Sequence, residues 1–171
     1  MSQTSTNPIQ CAVYTGSFDP ITLGHLNVIQ RASKICNRLV VGIGMNIEKR
    51  PLFEPNERLE LVKRVTSDLT NVEVQIFDGL AVEFVKSVGA NVMIRGVRPL
   101  TDIAAEFTMT IANKKLDPNI ETVFLMADAN YAHVSSTLIK QVAPLANDEK
   151  LAGFVPSDII PDLRRKLAIE S

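Results

Sequence analysis

Very little in this chain is suited to cross-linking, metal capture or membrane insertion. Only two cysteines occur in 171 residues, Cys11 and Cys36. They lie in an apolar strand-like run and on an apolar helix-like face, far from any C-x-x-C spacing. That argues for buried free thiols and against a disulfide or a thiolate metal site, and a reducing, cytoplasmic setting is expected. No stretch of about 18 uninterrupted apolar residues is present. Residues 1–9 read as a polar extension, and the start of the chain lacks both a basic n-region and an apolar h-region. Neither membrane insertion nor secretion is indicated. Charge of one sign is also lacking: 18 Lys and Arg stand against 19 Asp and Glu, for a net charge of −1. A general nucleic acid-binding surface is therefore not expected, and any anion site must be local. Histidine is scarce, His25 and His133 only.

What the chain has in quantity is apolar sequence, 46% of residues, in segments that alternate between strand and helix patterns. Residues 11–15 form a short apolar strand. After a glycine turn, Val28, Ile29, Ala32, Ile35 and Cys36 recur at helical spacing. Residues 38–44 are a nearly continuous apolar run, as in a strand covered on both sides. Pro55 suits the first turn of a helix carrying Leu61, Val62, Val65 and Leu69, and residues 72–77 follow as a strand. A helix over about 80–88 stops at Gly89, and residues 91–94 form the next strand. Residues 95–101 read as a polar turn before a helix over 102–115 that Asp117-Pro118 ends. Residues 122–126 give a fifth strand. Ser135 or Ser136 caps a helix reaching about 145, and residues 156–171 hold a C-terminal helix. No linker or repeat interrupts this order, which predicts a single doubly wound α/β domain, residues 1–171, with a five-stranded parallel sheet.

In such sheets ligands bind beyond the carboxyl ends of the strands, near the topological switch point. The motifs fall on those loops. Gly16-Ser17-Phe18-Asp19-Pro20 runs into Thr22-Leu23-Gly24-His25, which sets a histidine at a helix start, where backbone N–H groups favour anions. Lys49 and Arg50 follow the second strand, Asp78-Gly79-Leu80 the third, Arg95-Gly96-Val97-Arg98 the fourth, and residues 131–137 the fifth. Taken singly, each has an ordinary structural reading: a helix cap for His25, Ser135 and Ser136, a turn serine for Ser17, solvated surface for Lys49, Arg50 and Glu106. Together they describe a grip on nucleotide phosphates with positive charge for a second anion.

These motifs, with Val134-Ser135-Ser136-Thr137, resemble the bacterial phosphopantetheine adenylyltransferases, nucleotidyltransferases with an (H/T)-x-G-H motif, and the resemblance spans essentially the whole chain. It implies a Rossmann-like fold and transfer of AMP from ATP to 4′-phosphopantetheine. The products implied are dephospho-coenzyme A and pyrophosphate, with Mg²⁺ accompanying ATP, in a homohexamer; coenzyme A is a candidate inhibitor, and the sequence leaves its feedback open. By similarity, His25 and Lys49 are the catalytic residues: His25 steadies the α-phosphorus, and Lys49 bridges the attacking phosphate and the α-phosphate. Ser17, Lys49, Ala81 and Arg95 would hold 4′-phosphopantetheine, Ala81 through its backbone and Arg95 through the phosphate.

The ATP side, on the same resemblance, comprises Ser17, the backbone of Phe18, His25, Gly96, Val97, Arg98 and Glu106. It continues through Tyr131, Ala132, His133, Val134, Ser135, Ser136 and Thr137. His133 matches no motif of its own. Three departures from the family pattern stand out: Ser17 replaces threonine, Tyr131 replaces tryptophan, and Ala104-Ala105 replaces an acidic-aromatic pair. No metal-ligating residue is assigned. A nicotinamide-mononucleotide adenylyltransferase or cytidylyltransferase shares the opening motif but would be expected to lack Arg95-Gly96-Val97-Arg98. A catalytically silent nucleotide-binding module would be expected to have lost His25 or Lys49.

Overall fold

The computed structural model describes residues 9–45, 51–98 and 103–169, and 168 and 169 by backbone alone. Five strands supply its centre: β1 (Ile9–Gly16), β2 (Cys36–Gly44), β3 (Val72–Phe77), β4 (Val92–Val97) and β5 (Glu121–Met126). All pair in parallel in the order β3-β2-β1-β4-β5. The crossovers are helical: α1 (Leu23–Ala32), α2 (Pro55–Val65), α3 (Ala81–Ser87) and α4 (Ile103–Leu116). After β5 come α5 (Ser136–Val142), α6 (Asp148–Leu151) and α7 (Ile160–Ile169). Chain order turns back between β1 and β4, which opens a crevice at their carboxyl ends.

The two faces of the sheet bury different cores because successive strand residues point to opposite sides. Ala12 and Tyr14 of β1, Leu39, Val41 and Ile43 of β2 and Ile94 of β4 join the larger core beneath α1, α2, α5 and α7. Val13, Val40 and Met93 face the other way, against Val82, Phe84 and Val85 of α3. The doubly wound five-stranded α/β fold is thus the predicted one.

Several local boundaries differ from the sequence pattern. α1 ends at Ala32, and Ile35 is exposed instead of continuing its buried face. β4 runs on to Val97, so Arg95 and Gly96 are strand residues and not part of a turn. Their pairing with Phe124 and Leu125 of β5 holds them in the ladder, which a reading of local polarity cannot anticipate. α5 stops at Val142, and α6, capped by the Asn147 side chain, was not evident in the sequence. α3 ends before Gly89, whose φ of +73° is the left-handed turn that glycine takes without strain.

Candidate active site

The crevice between β1 and β4 is a cleft of about 360 Å³ walled by the ends of both strands, the start of α1, α4 and the residues before α5. His25 is the third residue of α1 and makes a reciprocal cap with Thr22: the Thr22 hydroxyl accepts from the His25 N–H at 3.3 Å, and the Thr22 N–H donates to His25 Nδ1 at 3.1 Å. A backbone N–H can only donate, so Nδ1 carries the lone pair and the neutral ring presents Nε2–H. Burial, then the positive charge of Arg98, lowers the His25 pKa to about 4. Its ring is therefore a neutral donor at physiological pH.

Behind His25 stands a row of rings. Phe18 meets His25 edge-on at 5.0 Å, and Tyr14 meets Phe18 edge-on at 5.4 Å. Phe18 holds a φ of 47°, a left-handed conformation uncommon outside glycine. Contacts on both sides fix it. Arg58 of α2 donates to the Ser17 carbonyl at 2.9 Å. The buried Asp19 carboxylate accepts from the N–H groups of Leu52 at 3.0 Å and Phe53 at 2.8 Å, and pairs with Lys140 of α5. One carboxylate thus ties the β1–α1 turn both to the segment entering α2 and to α5. Ser136 adds a hydroxyl bond to the Pro20 carbonyl at 2.8 Å, while Ser135 caps α5 by accepting from Leu138 N–H at 3.1 Å.

The opposite wall holds the arginines. Arg95 forms a two-pronged pair with Glu106 of α4, Nε to one carboxylate oxygen at 2.6 Å and Nη2 to the other at 2.7 Å. Its Nη1 donates to the Thr15 hydroxyl at 3.1 Å and carbonyl at 3.2 Å. Although burial works against its charge, the bond to and charge of Glu106 outweigh it and raise the Arg95 pKa. Arg98 reaches across to the Val134 carbonyl at 3.2 Å. Between them, Gly96 is glycine for reasons of space: a Cβ there would lie 3.0 Å from Val28 and 3.4 Å from the Tyr14 hydroxyl.

Of the sequence-predicted residues, Ser17, His25, Arg95, Gly96, Arg98, Glu106, Tyr131, Val134, Ser135, Ser136 and Thr137 line this cleft. Phe18 and Val97 are buried and do not line it. Phe18 stands behind His25 because its ring fills the space over Gly16. His133 is exposed, its ring edge-on to Phe154 at 5.7 Å, and neither it nor Ala132 is part of the cleft wall. Ala81 opens α3, also outside the wall. Lys49 and Arg50 lie outside the described residues.

Residues without a sequence assignment also contribute. Tyr14 and Thr15 line the cleft from the end of β1, where strand position alone was the signal. Arg58, 4% exposed, occupies the buried stripe of α2 with Leu61 and Val62. A charge at an apolar stripe position is the mark by which it could have been found.

Comparison with known proteins gives a consistent result. Residues 13–142 match the cytidylyltransferase-like family. A phosphopantetheine adenylyltransferase of Rhodopirellula baltica is 65% identical over 161 residues, covering 94% of this chain and 90% of that protein. One from Clostridium botulinum is 50% identical over 159 residues, covering 93% and 96%. Among solved structures, a putative nicotinate-nucleotide adenylyltransferase from Vibrio parahaemolyticus superimposes with a TM-score of 0.61 at 16% identity, covering 95% of this chain and 93% of that one. At that identity the likeness concerns the fold.

Proposed function

Because the chain belongs to the phosphopantetheine adenylyltransferases and to the wider cytidylyltransferase-like family, we propose that the β1/β4 cleft transfers AMP from ATP to 4′-phosphopantetheine. The transfer is a direct in-line attack without a covalent intermediate, and it is a step of coenzyme A biosynthesis. A phosphate oxygen of 4′-phosphopantetheine bonds to the α-phosphorus of ATP as the α–β P–O bond breaks. The products are dephospho-coenzyme A and pyrophosphate. Two anions must meet, so the protein's task is to orient them and to balance the charge that develops.

The observation that carries this reading is the pairing, in one cleft, of a neutral His25 donor at the start of α1 with the Arg95 guanidinium across from it. His25 Nε2–H donates to an α-phosphate oxygen, and its neutrality means that it stabilises charge without exchanging a proton. Arg95 takes the phosphate of 4′-phosphopantetheine, with Ser17 at the cleft mouth and Lys49 following charge between the two substrates. All three Arg95 guanidinium nitrogens are already engaged, by Glu106 and Thr15. Phosphate binding therefore competes with those bonds, and Glu106 sets the guanidinium's position. Arg98, Gly96, Val97, Glu106 and residues 131–137 serve ATP, with Phe18 behind His25 and Ala81 along the pantetheine arm.

Mg²⁺ enters with ATP, bound to its phosphates. Among the described residues no group of three or more His, Cys, Asp or Glu side chains is placed to hold a metal. Coenzyme A, which contains the dephospho product, competes at the same cleft. A cytoplasmic setting is in keeping with the two free thiols. Separately, no helix among the described residues is long and apolar enough to cross a membrane.

Assembly as a homohexamer is supported by α4 and β5. Ile103, Phe107 and Ile111 recur along one side of α4, Met109 and Leu116 lie on another, and all five are exposed, as are Phe124 and Met126 of the edge strand β5. Such exposed apolar surface is costly in water unless covered.

The reaction is tested by measuring pyrophosphate release with ATP and Mg²⁺ plus either 4′-phosphopantetheine or nicotinamide mononucleotide. Release with the former alone is expected. Release only with the latter, or with neither, contradicts the proposal.

A further inference from the structure

Tyr14 is 6% exposed and lines the cleft, yet its hydroxyl has no hydrogen-bond partner among the described residues. It is not sealed off either, since the one buried side-chain polar atom without a partner there is Arg58 Nε. A hydroxyl that opens into the cleft with no protein partner is free to donate to a ligand that displaces solvent there. Burial raises the phenol pKa well above its ordinary value, so at neutral pH the group is an intact O–H donor.

Its position selects the ligand. Tyr14 pairs in register with Ile94 on β4, and both side chains join the core beneath α1. Arg95, one residue on, projects to the opposite face, where Glu106 and Thr15 hold it. The hydroxyl lies 3.4 Å from where a Cβ on Gly96 would be, and its ring continues the row through Phe18 to His25. The ring thus belongs to the row on the His25 side of the cleft, while the hydroxyl at its far end lies within reach of the charges of Arg95, Glu106 and Arg98.

We propose that the Tyr14 hydroxyl is a nucleotide-binding group that donates a hydrogen bond to an oxygen of the adenosine or α-phosphate part of ATP. This rests on the adenylyltransferase reading, in which His25 faces the same part of ATP. The ring's packing on Phe18 is structural and survives removal of the hydroxyl, so Tyr14→Phe separates the two roles.

The test is calorimetric titration of wild type and Tyr14→Phe with ATP and, separately, with 4′-phosphopantetheine, alongside the thermal midpoint of each protein. The expected result is ATP affinity weakened about tenfold, 4′-phosphopantetheine affinity within about twofold, and a thermal midpoint unchanged or raised. Unchanged ATP affinity, equal weakening of both ligands, or a lowered midpoint overturns the proposal; the last would mean that the hydroxyl already has a partner in the free protein. If wild type itself bound no ATP, the adenylyltransferase reading would fail instead, so the two failures are distinguishable.

Discussion

The two helices that flank the cleft, α1 and α4, are built in opposite senses. α1 turns Val28, Ile29 and Ala32 into the core and caps its own start through Thr22 and His25. α4 has no fully buried residue. Its inward positions are the polar Glu106, Thr110 and Asn113, partly buried, while Phe107 and Ile111 are each 58% exposed. Glu106 accounts for part of this inversion, since the side of α4 that meets the sheet has to hold Arg95. A helix that spends its inner face on an ion pair has to find apolar burial elsewhere. The α1 side of the site is complete within one chain, and the α4 side, in the homohexamer we propose, is finished by other copies of it.

The same chemical change on each helix should expose the contrast. Ile29→Asp on α1 puts a carboxylate into a sealed core and is expected to cost about 4 kcal/mol or more, enough to unfold a marginal domain. Ile111→Asp on α4 should leave the fold intact in circular dichroism while light scattering reports a mass falling toward the 18.8 kDa of one chain. If the two variants behaved alike, the contrast would be wrong. Next in size, Arg95→Ala should raise KM for 4′-phosphopantetheine about a hundredfold, the scale of a lost charge-assisted contact. It should change KM for ATP far less, and equal effects on both would remove the division of the cleft.

The smallest effect sharpens the α1 side. The chain has only two histidines, so the His25 imidazole is readily assigned in an NMR titration by its loss in His25→Ala. It should titrate near 4 and not near its ordinary 6.5. Because the folded value lies below the unfolded one, the unfolded chain binds the extra proton first. This group's contribution is thus complete above pH 6.5 and declines as pH falls from 6.5 toward 4. A midpoint near 6.5 would mean that the ring is neither desolvated nor fixed by Thr22.

Much of this was legible along the chain. Apolar runs marked all five strands, and Pro55, Gly89 and Asp117-Pro118 marked helix limits, because local backbone preference sets those features. The cleft members on the glycine turn and on Arg95-Gly96-Val97-Arg98 followed from their place at strand ends. What was not legible depends on partners far apart in sequence. Asp19 meets Leu52, Phe53 and Lys140, and Arg58 meets Ser17. Glu106, a helix carboxylate in sequence, takes its role from Arg95 on a neighbouring strand. The exposed apolar side chains of α4 were not legible either, because they fall on more than one side of the helix and leave no periodicity to mark a single face.

The most direct measurement is single-turnover adenylyl transfer by His25→Ala, with ATP affinity determined separately. If a neutral His25 donor stabilises the α-phosphorus as the bond to pyrophosphate breaks, the rate should fall by about two orders of magnitude or more while ATP affinity changes much less. A variant turning over at close to the wild-type rate, or one whose loss lies entirely in ATP affinity, would contradict that account.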